Sequence, residues 1–240
     1  MNNVTLFAID GTGTELNCYL KIFELCSKEC NFKKYTIVTA SENIPTSNNI
    51  NFFKINKLNY KEYQAFCILE TAKYIDTDYA LFIQSDGFVV NGSNWNSEYL
   101  NYDYVGQPWL SETGRVFSWI KDNNESVGEG GFSLRSKKLL DFCSKFDKNQ
   151  INNLVQYGSN EDFIICITAR NLLKQNGFKF CTPELGKQFC AGTDIFNPEK
   201  LNNTFGFHGD DYVEHVLKKY KEKYGLDYNK EIINYKKQTQ

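Results

Sequence analysis

A chain of 240 residues is long enough to bury one substantial core, and 41% hydrophobic with 23% charged residues is the balance of an ordinary globular protein. The net charge of −2 supplies no electrostatic attraction for nucleic acid or an anionic membrane surface. Fifteen Tyr, 19 Phe and three Trp fill part of a core, and Tyr and Trp also suit the flat, amphipathic faces of sugars and bases.

None of the eight cysteines forms a C-x-x-C pair, and no His lies near enough in sequence to complete a zinc pattern. Most fall in apolar periodic segments, where a free thiol packs as a small hydrophobe. With no secretory leader and no apolar run of membrane-spanning length, a reduced, cytoplasmic protein is the expectation.

Residues 4–9 are predicted as a buried strand, followed by Asp10-Gly11-Thr12-Gly13-Thr14. Residues 15–30 then form an amphipathic helix with Leu16, Leu20, Phe23, Cys26 and Cys30 on one side. A second strand over 35–39 completes a β-α-β opening. Gly11-x-Gly13-x-x-Leu16 holds two of the three glycines of a dinucleotide fingerprint. The third glycine and an acid at the end of strand two are missing, so a nicotinamide-dependent enzyme rests on Gly11-x-Gly13 alone. Residues 50–55 give a third strand, 59–75 a helix, and 80–83 a fourth strand buried on both faces. Four strands alternating with helices predict a largely parallel, doubly wound sheet.

The fourth strand breaks at Gln84-Ser85-Asp86-Gly87. An acid and a glycine at the carboxyl end of a buried strand stand where open α/β sheets bind ligands. Asp86 offers hard oxygens to a divalent cation, and Gly87 lets the backbone turn or approach a ligand closely. Beyond Asn91, Trp95 and Leu100 mark a short helix and 102–109 a strand ending in a turn. The polar residues 110–127, with Gly114, Arg115 and Trp119, read as a loop long enough to act as a lid.

Gly128-Glu129-Gly130-Gly131 must bend tightly or lie against a ligand, and Ser136 is an N-cap for a helix over 137–145. Asn160-Glu161-Asp162 precedes a helix over 163–173. Acids at this place complement the helix dipole, or put one carboxylate at a cleft as a general base. One or two strands are expected over 178–190, a loop over 191–203, and a short apolar segment, Phe205-Gly206-Phe207-His208-Gly209. From Asp210 an amphipathic helix with Val213, Val216, Leu217 and Tyr220 runs into a Lys-rich tail. Nothing divides the chain, so a single domain over 1–240 is expected. Residues 1–91 are its nucleotide-binding half, 92–209 its acceptor and catalytic half, and 210–240 its final helix and tail.

The blocks Gln84-Ser85-Asp86-Gly87-Phe88, residues 102–109, Gly128 to Ser136, Asn160-Glu161-Asp162 and Phe205 to Gly209, in this order, resemble a family of glycosyltransferase-like domains. These in turn resemble the GT-A class of nucleotide-sugar-dependent glycosyltransferases. The resemblance implies a GT-A-like α/β fold with a mostly parallel Rossmann-type sheet and a smaller acceptor-side region. It implies transfer of a sugar from a nucleotide-diphosphate sugar, UDP-sugar favoured, to an acceptor hydroxyl on a glycan or another molecule, with inversion. Mn²⁺ or Mg²⁺ is the implied cofactor, held by Asp86 and His208. The GT-A Asp-x-Asp triplet stands here as Gln84-Ser85-Asp86, so only its second acid is present. Asp162 matches the acceptor-side base and Glu161 the acceptor-binding acid. Asp10, Gln84, Ser85, Asp86, Gly130, Gly131 and Arg135 are expected to meet the donor. The altered triplet keeps a non-catalytic nucleotide-sugar or glycan-binding module as the alternative.

Overall fold

The computed structural model describes residues 1–109, 126–192 and 196–233. Strand β1 (Val4–Asp10) is buried along its whole length. It pairs in parallel with β2 (Lys34–Thr39) on one side and β4 (Tyr79–Ile83) on the other. β3 (Asn51–Lys54) extends the sheet beyond β2 in the same direction. Beyond β4 lie β6 (Phe132–Ser136), antiparallel to it, and the edge strand β5 (Tyr104–Val105). The order is β3-β2-β1-β4-β6-β5, a mixed α/β fold with a mostly parallel sheet.

Period-two alternation divides each strand between two cores. Leu6, Ala8, Ile37, Leu81 and Ile83 face the cluster that contains Phe23 of α1 (Leu16–Glu29) and Val216 of α8 (Asp210–Tyr224). Phe7, Ile9, Val38, Ala80 and Phe82 pack instead with Cys67 of α2 (Tyr60–Leu69) and Leu140 of α3 (Lys137–Cys143). Covering both faces requires nearly continuous apolar strands, which is why 4–9 and 80–83 are legible in the sequence. Each fully buried Leu, Ile or Phe stabilises the fold by about 1.5–3 kcal/mol.

Local signals start the helices. Asn59 and Glu62 form a reciprocal capping box at α2, with Glu62 N–H donating to Asn59 Oδ1 at 3.0 Å and Asn59 N–H to Glu62 Oε2 at 2.8 Å. Ser136 caps α3 as expected, accepting from Leu139 N–H at 3.1 Å.

Several expectations are corrected. No helix separates β2 from β3, and the 59–75 helix stops at Leu69 before a 3₁₀ turn over Thr71–Tyr74. Only Tyr104–Val105 of the predicted 102–109 strand joins the sheet. A helix, α4 (Lys148–Gln156), follows α3 where none was predicted. The 163–173 helix is broken into α5 (Glu161–Phe163), a π turn (Ile164–Thr168) and α6 (Arg170–Gln175). The strand reading of 178–190 fails because Thr182-Pro183 starts a helix, α7 (Pro183–Phe189), with Thr182 Oγ1 accepting Leu185 N–H. What remains is β7 (Cys190–Ala191), paired in parallel with β8 (Gly206–Phe207). The 191–203 loop contains a 3₁₀ turn at Pro198–Asn202. The predicted lid over 110–127 lies outside the described residues except for its last two.

All eight cysteines are free and buried. Among the described residues no helix is long and apolar enough to cross a membrane. The chain runs outward from β1 to β3 and returns to β4 on the other side of β1. The topological switch point therefore lies between the carboxyl ends of β1 and β4.

Candidate functional site

A cleft of about 270 Å³ opens at that switch point. Gly11, Thr12 and Glu15 form one wall after β1, and Leu58, Asn59, Tyr60 and Tyr63 form another at the start of α2. Gln84, Ser85 and Asp86 form the floor after β4, and Tyr19 lines it from α1. Asp10 shapes the first wall from beneath. Fully buried, it accepts Gly13 N–H at 2.8 Å, Glu15 N–H at 3.2 Å and Thr39 Oγ1–H at 2.7 Å. Its carboxylate organises the loop and is not presented to the cleft.

The floor is a closed two-residue turn in which Gln84 and Gly87 exchange backbone hydrogen bonds of 3.1 Å. The Gln84 amide reaches Tyr63 Oη with Nε2 at 3.2 Å, while its Oε1 lies 3.3 Å from His208 Nε2. β8 delivers His208 to this turn from the far end of the chain. Its Nε2 lies 3.5 Å from Asp86 Oδ1 and its Nδ1 lies 3.1 Å from Glu129 Oε1. Burial disfavours a charged ring, but Glu129 first and then Asp86 outweigh it and hold His208 well above the usual imidazole range.

The glycines make room for this ring. A Cβ at Gly131 would lie 2.0 Å from His208 Nε2, and one at Gly87 would lie 2.7 Å from His208 Cδ2. Neither glycine has a positive φ, so both are required by close approach and not by the turn itself.

One residue along, Gly130 N–H donates to Asp162 Oδ2 at 2.9 Å, and Phe163 N–H donates to Asp162 Oδ1 at 2.7 Å. The glycine-rich block thus joins the His208 cluster to the carboxylate at the start of α5. Burial, then the neighbouring Glu161 and Glu129 carboxylates, pushes the Asp162 carboxyl up to about 8, despite two backbone N–H groups that favour its charged form.

Glu161 points the other way. It forms an ion pair of 2.9 Å with Arg135 Nη2, and Arg135 is wholly buried between Phe82 and Tyr104. Glu161, expected on the acceptor, is itself buried, and its N–H donates to Gln64 of α2 at 2.8 Å. Arg135, expected on the donor, has no exposed surface with which to touch one.

The structure thus brings Gln84, Ser85, Asp86, His208, Gly130, Gly131 and Asp162 into one region and leaves Asp10, Arg135 and Glu161 beneath it as supports. Residue-by-residue reading missed Glu129, Tyr19, Tyr60 and Tyr63. Tyr60 is 67% exposed at the cleft mouth, an uncommon place for an aromatic at a helix start.

The fold matches solved structures of glycosyltransferases. A galactosyltransferase, LgtC, solved with donor and acceptor sugar analogues, aligns with a TM-score of 0.54 over 91% of this chain and 95% of its own, at 13% identity. The apo-form glycosyltransferase GlyE of Streptococcus pneumoniae TIGR4 aligns with a TM-score of 0.50 over all of this chain and 64% of its own, at 10% identity. At such identities the likeness is one of fold. No curated protein matches the sequence. Residues 47–208, spanning the cleft floor, the glycine-rich block and His208, match the family described as "Protein of unknown function (DUF5672)", and the chain belongs to that family.

Proposed function

We propose that the protein transfers a sugar from a nucleotide-diphosphate sugar, a UDP-sugar first among them, to an acceptor hydroxyl. The observation that carries this reading is the cleft at the switch point, walled by Tyr19, Tyr60 and Tyr63 and floored by Gln84, Ser85 and Asp86. Open α/β sheets bind nucleotides at this place, and tyrosine faces suit a base. Gln84 is neutral and can hydrogen-bond a ribose hydroxyl where an acid is absent.

The reaction forms a bond between the acceptor oxygen and the anomeric carbon while the bond from that carbon to the diphosphate breaks. Asp162 receives the acceptor proton. A carboxyl raised to about 8 is well matched to taking a proton near neutral pH. One such base, with no second carboxylate assigned as a nucleophile among the described residues, favours a single displacement with inversion.

Asp86 and His208 would hold a divalent cation that displaced the Nε2 proton of the charged ring: Oδ1 and Nε2 face each other at 3.5 Å, and Glu129 occupies the other ring nitrogen. A bound Mn²⁺ or Mg²⁺ would supply positive charge to the leaving diphosphate. Among the described residues no group of three or more His, Cys, Asp or Glu is set to hold a metal, so phosphate oxygens and water must complete the shell. The altered triplet, with Gln84 tied to Tyr63 and His208, favours a second reading, a non-catalytic nucleotide-sugar binder.

Thermal-shift screening of UDP-, GDP- and CMP-sugars and NAD(P), with and without Mn²⁺, tests the cleft. A ligand at a hundred times its Kd adds about 2.7 kcal/mol. Stabilisation by a nucleotide sugar followed by sugar transfer to an added glycan supports the enzyme. Stabilisation with neither transfer nor donor hydrolysis supports the binder, and no response to any nucleotide sugar overturns both.

A further inference from the structure

We infer that Glu129 is the positioning residue for His208, holding its Nδ1 so that Nε2 faces Asp86 as one half of a cation site. The inference rests on the metal-assisted reading above and extends it to a residue outside the expected set. Glu129 has a φ of +59°, in the left-handed region that disfavours any side chain. Glycine neighbours it on both sides in sequence, yet a glutamate occupies the strained position. Strain of this kind persists where the surroundings over-determine it, and it gathers at working sites.

The surroundings here do so. Tyr104 Oη–H donates to the Glu129 carbonyl at 3.1 Å, pinning the backbone against β5. The side chain is turned inward, 8% of the residue being exposed, and Oε1 meets His208 Nδ1 at 3.1 Å with Gly131 N–H 3.4 Å away. The ring also packs over Gly87 and Gly131, where a Cβ would collide with it. A carboxylate on Nδ1 and two glycines at the ring leave Nε2 directed at Asp86 Oδ1, 3.5 Å away, and the Gln84 amide oxygen, 3.3 Å away. A metal-ligating imidazole almost always donates its other N–H to such a partner, and losing the partner costs about 10–100-fold in metal affinity.

Titrating Mn²⁺ into the full chain, with and without UDP, and following free Mn²⁺ by electron paramagnetic resonance tests this. The proteins compared are wild type, Glu129→Gly and Glu129→Gln. Glycine adopts a φ of +59° without strain, so Glu129→Gly is expected to fold, checked by circular dichroism. It should bind Mn²⁺ about 10–100-fold more weakly, while Glu129→Gln, whose amide oxygen still accepts from Nδ1–H, loses less. If Glu129→Gly does not fold, any weakening in Glu129→Gln carries the comparison. Equal Mn²⁺ affinity in every folded variant overturns the role of Glu129 alone. A wild-type protein that takes no Mn²⁺ with UDP overturns the metal reading and this inference with it. UDP-sugar binding in EDTA reads the cleft separately from both.

Discussion

Arg135 and Glu161 form a buried ion pair, Nη2 to Oε1 at 2.9 Å, directly beneath the carboxylate proposed as the base. Arg135 Nε also donates to Ser133 Oγ at 3.0 Å, and Glu161 precedes Asp162 in α5. The pair therefore ties β6 to the segment that carries Asp162. Removing one partner leaves a buried charge uncompensated, which costs about 3–5 kcal/mol. Arg135→Met should lower urea-unfolding stability by that amount, and a loss within 0.5 kcal/mol would sink the structural role.

Asp162→Asn should keep nucleotide-sugar binding and lower turnover about 10²–10⁴-fold. Near-normal turnover removes Asp162 from the mechanism. Joint loss of binding and turnover points to its hydrogen bonds with Gly130 and Phe163 instead.

A base must be deprotonated, so in the wild type kcat/KM should rise with pH and level off above about 8. Of the two carboxylates that raise Asp162, Glu161 acts more strongly than Glu129. Glu161→Gln removes that negative charge, lowers the Asp162 pKa and should move the rise to lower pH. The same shift has a stability sign. The folded pKa lies above the unfolded value, so this contribution is full below about pH 4 and is lost as pH rises through about 8. Relative to wild type, Asp162→Asn should gain stability as pH rises from about 4 to about 8 and level off above that, and a constant difference in urea unfolding across this window would contradict the raised pKa.

Gly131→Ala should separate fold from site. The added Cβ, 2.0 Å from His208 Nε2, must displace the ring. Mn²⁺ binding should be lost while the cleft walls at Tyr60 and Tyr63 still bind UDP. Unchanged Mn²⁺ affinity by calorimetry would show that His208 is not a ligand.

Tyr60→Ala tests the donor cleft from its most exposed wall. At 67% exposure the side chain contributes little to the core, and its hydroxyl donates one exposed hydrogen bond of 2.7 Å to Asn160, so stability should move by no more than about 1 kcal/mol. Loss of a stacked base costs about 1–3 kcal/mol, so UDP affinity should fall about 5- to 150-fold by calorimetry. Unchanged affinity would place the base elsewhere.

The parallel half of the fold was legible in the sequence because burial on both faces writes continuous apolar runs at 4–9 and 80–83. The capping residue Ser136 and the Asp-Gly at the end of β4 are local signals with local causes. α7 was misread although Thr182-Pro183 carried its start, because aromatic and cysteine residues around it mimic a strand. The partners of the site residues were not legible. Asp86, Glu129 and His208 stand far apart in sequence, and only the approach of β8 to the β4 turn places one imidazole between two carboxylates. The two acids of Asn160-Glu161-Asp162 have nearly the same chemistry. Which of them faces an arginine and which a raised pKa is decided by the helix turn that points Glu161 into the core and leaves Asp162 on the backbone of Gly130.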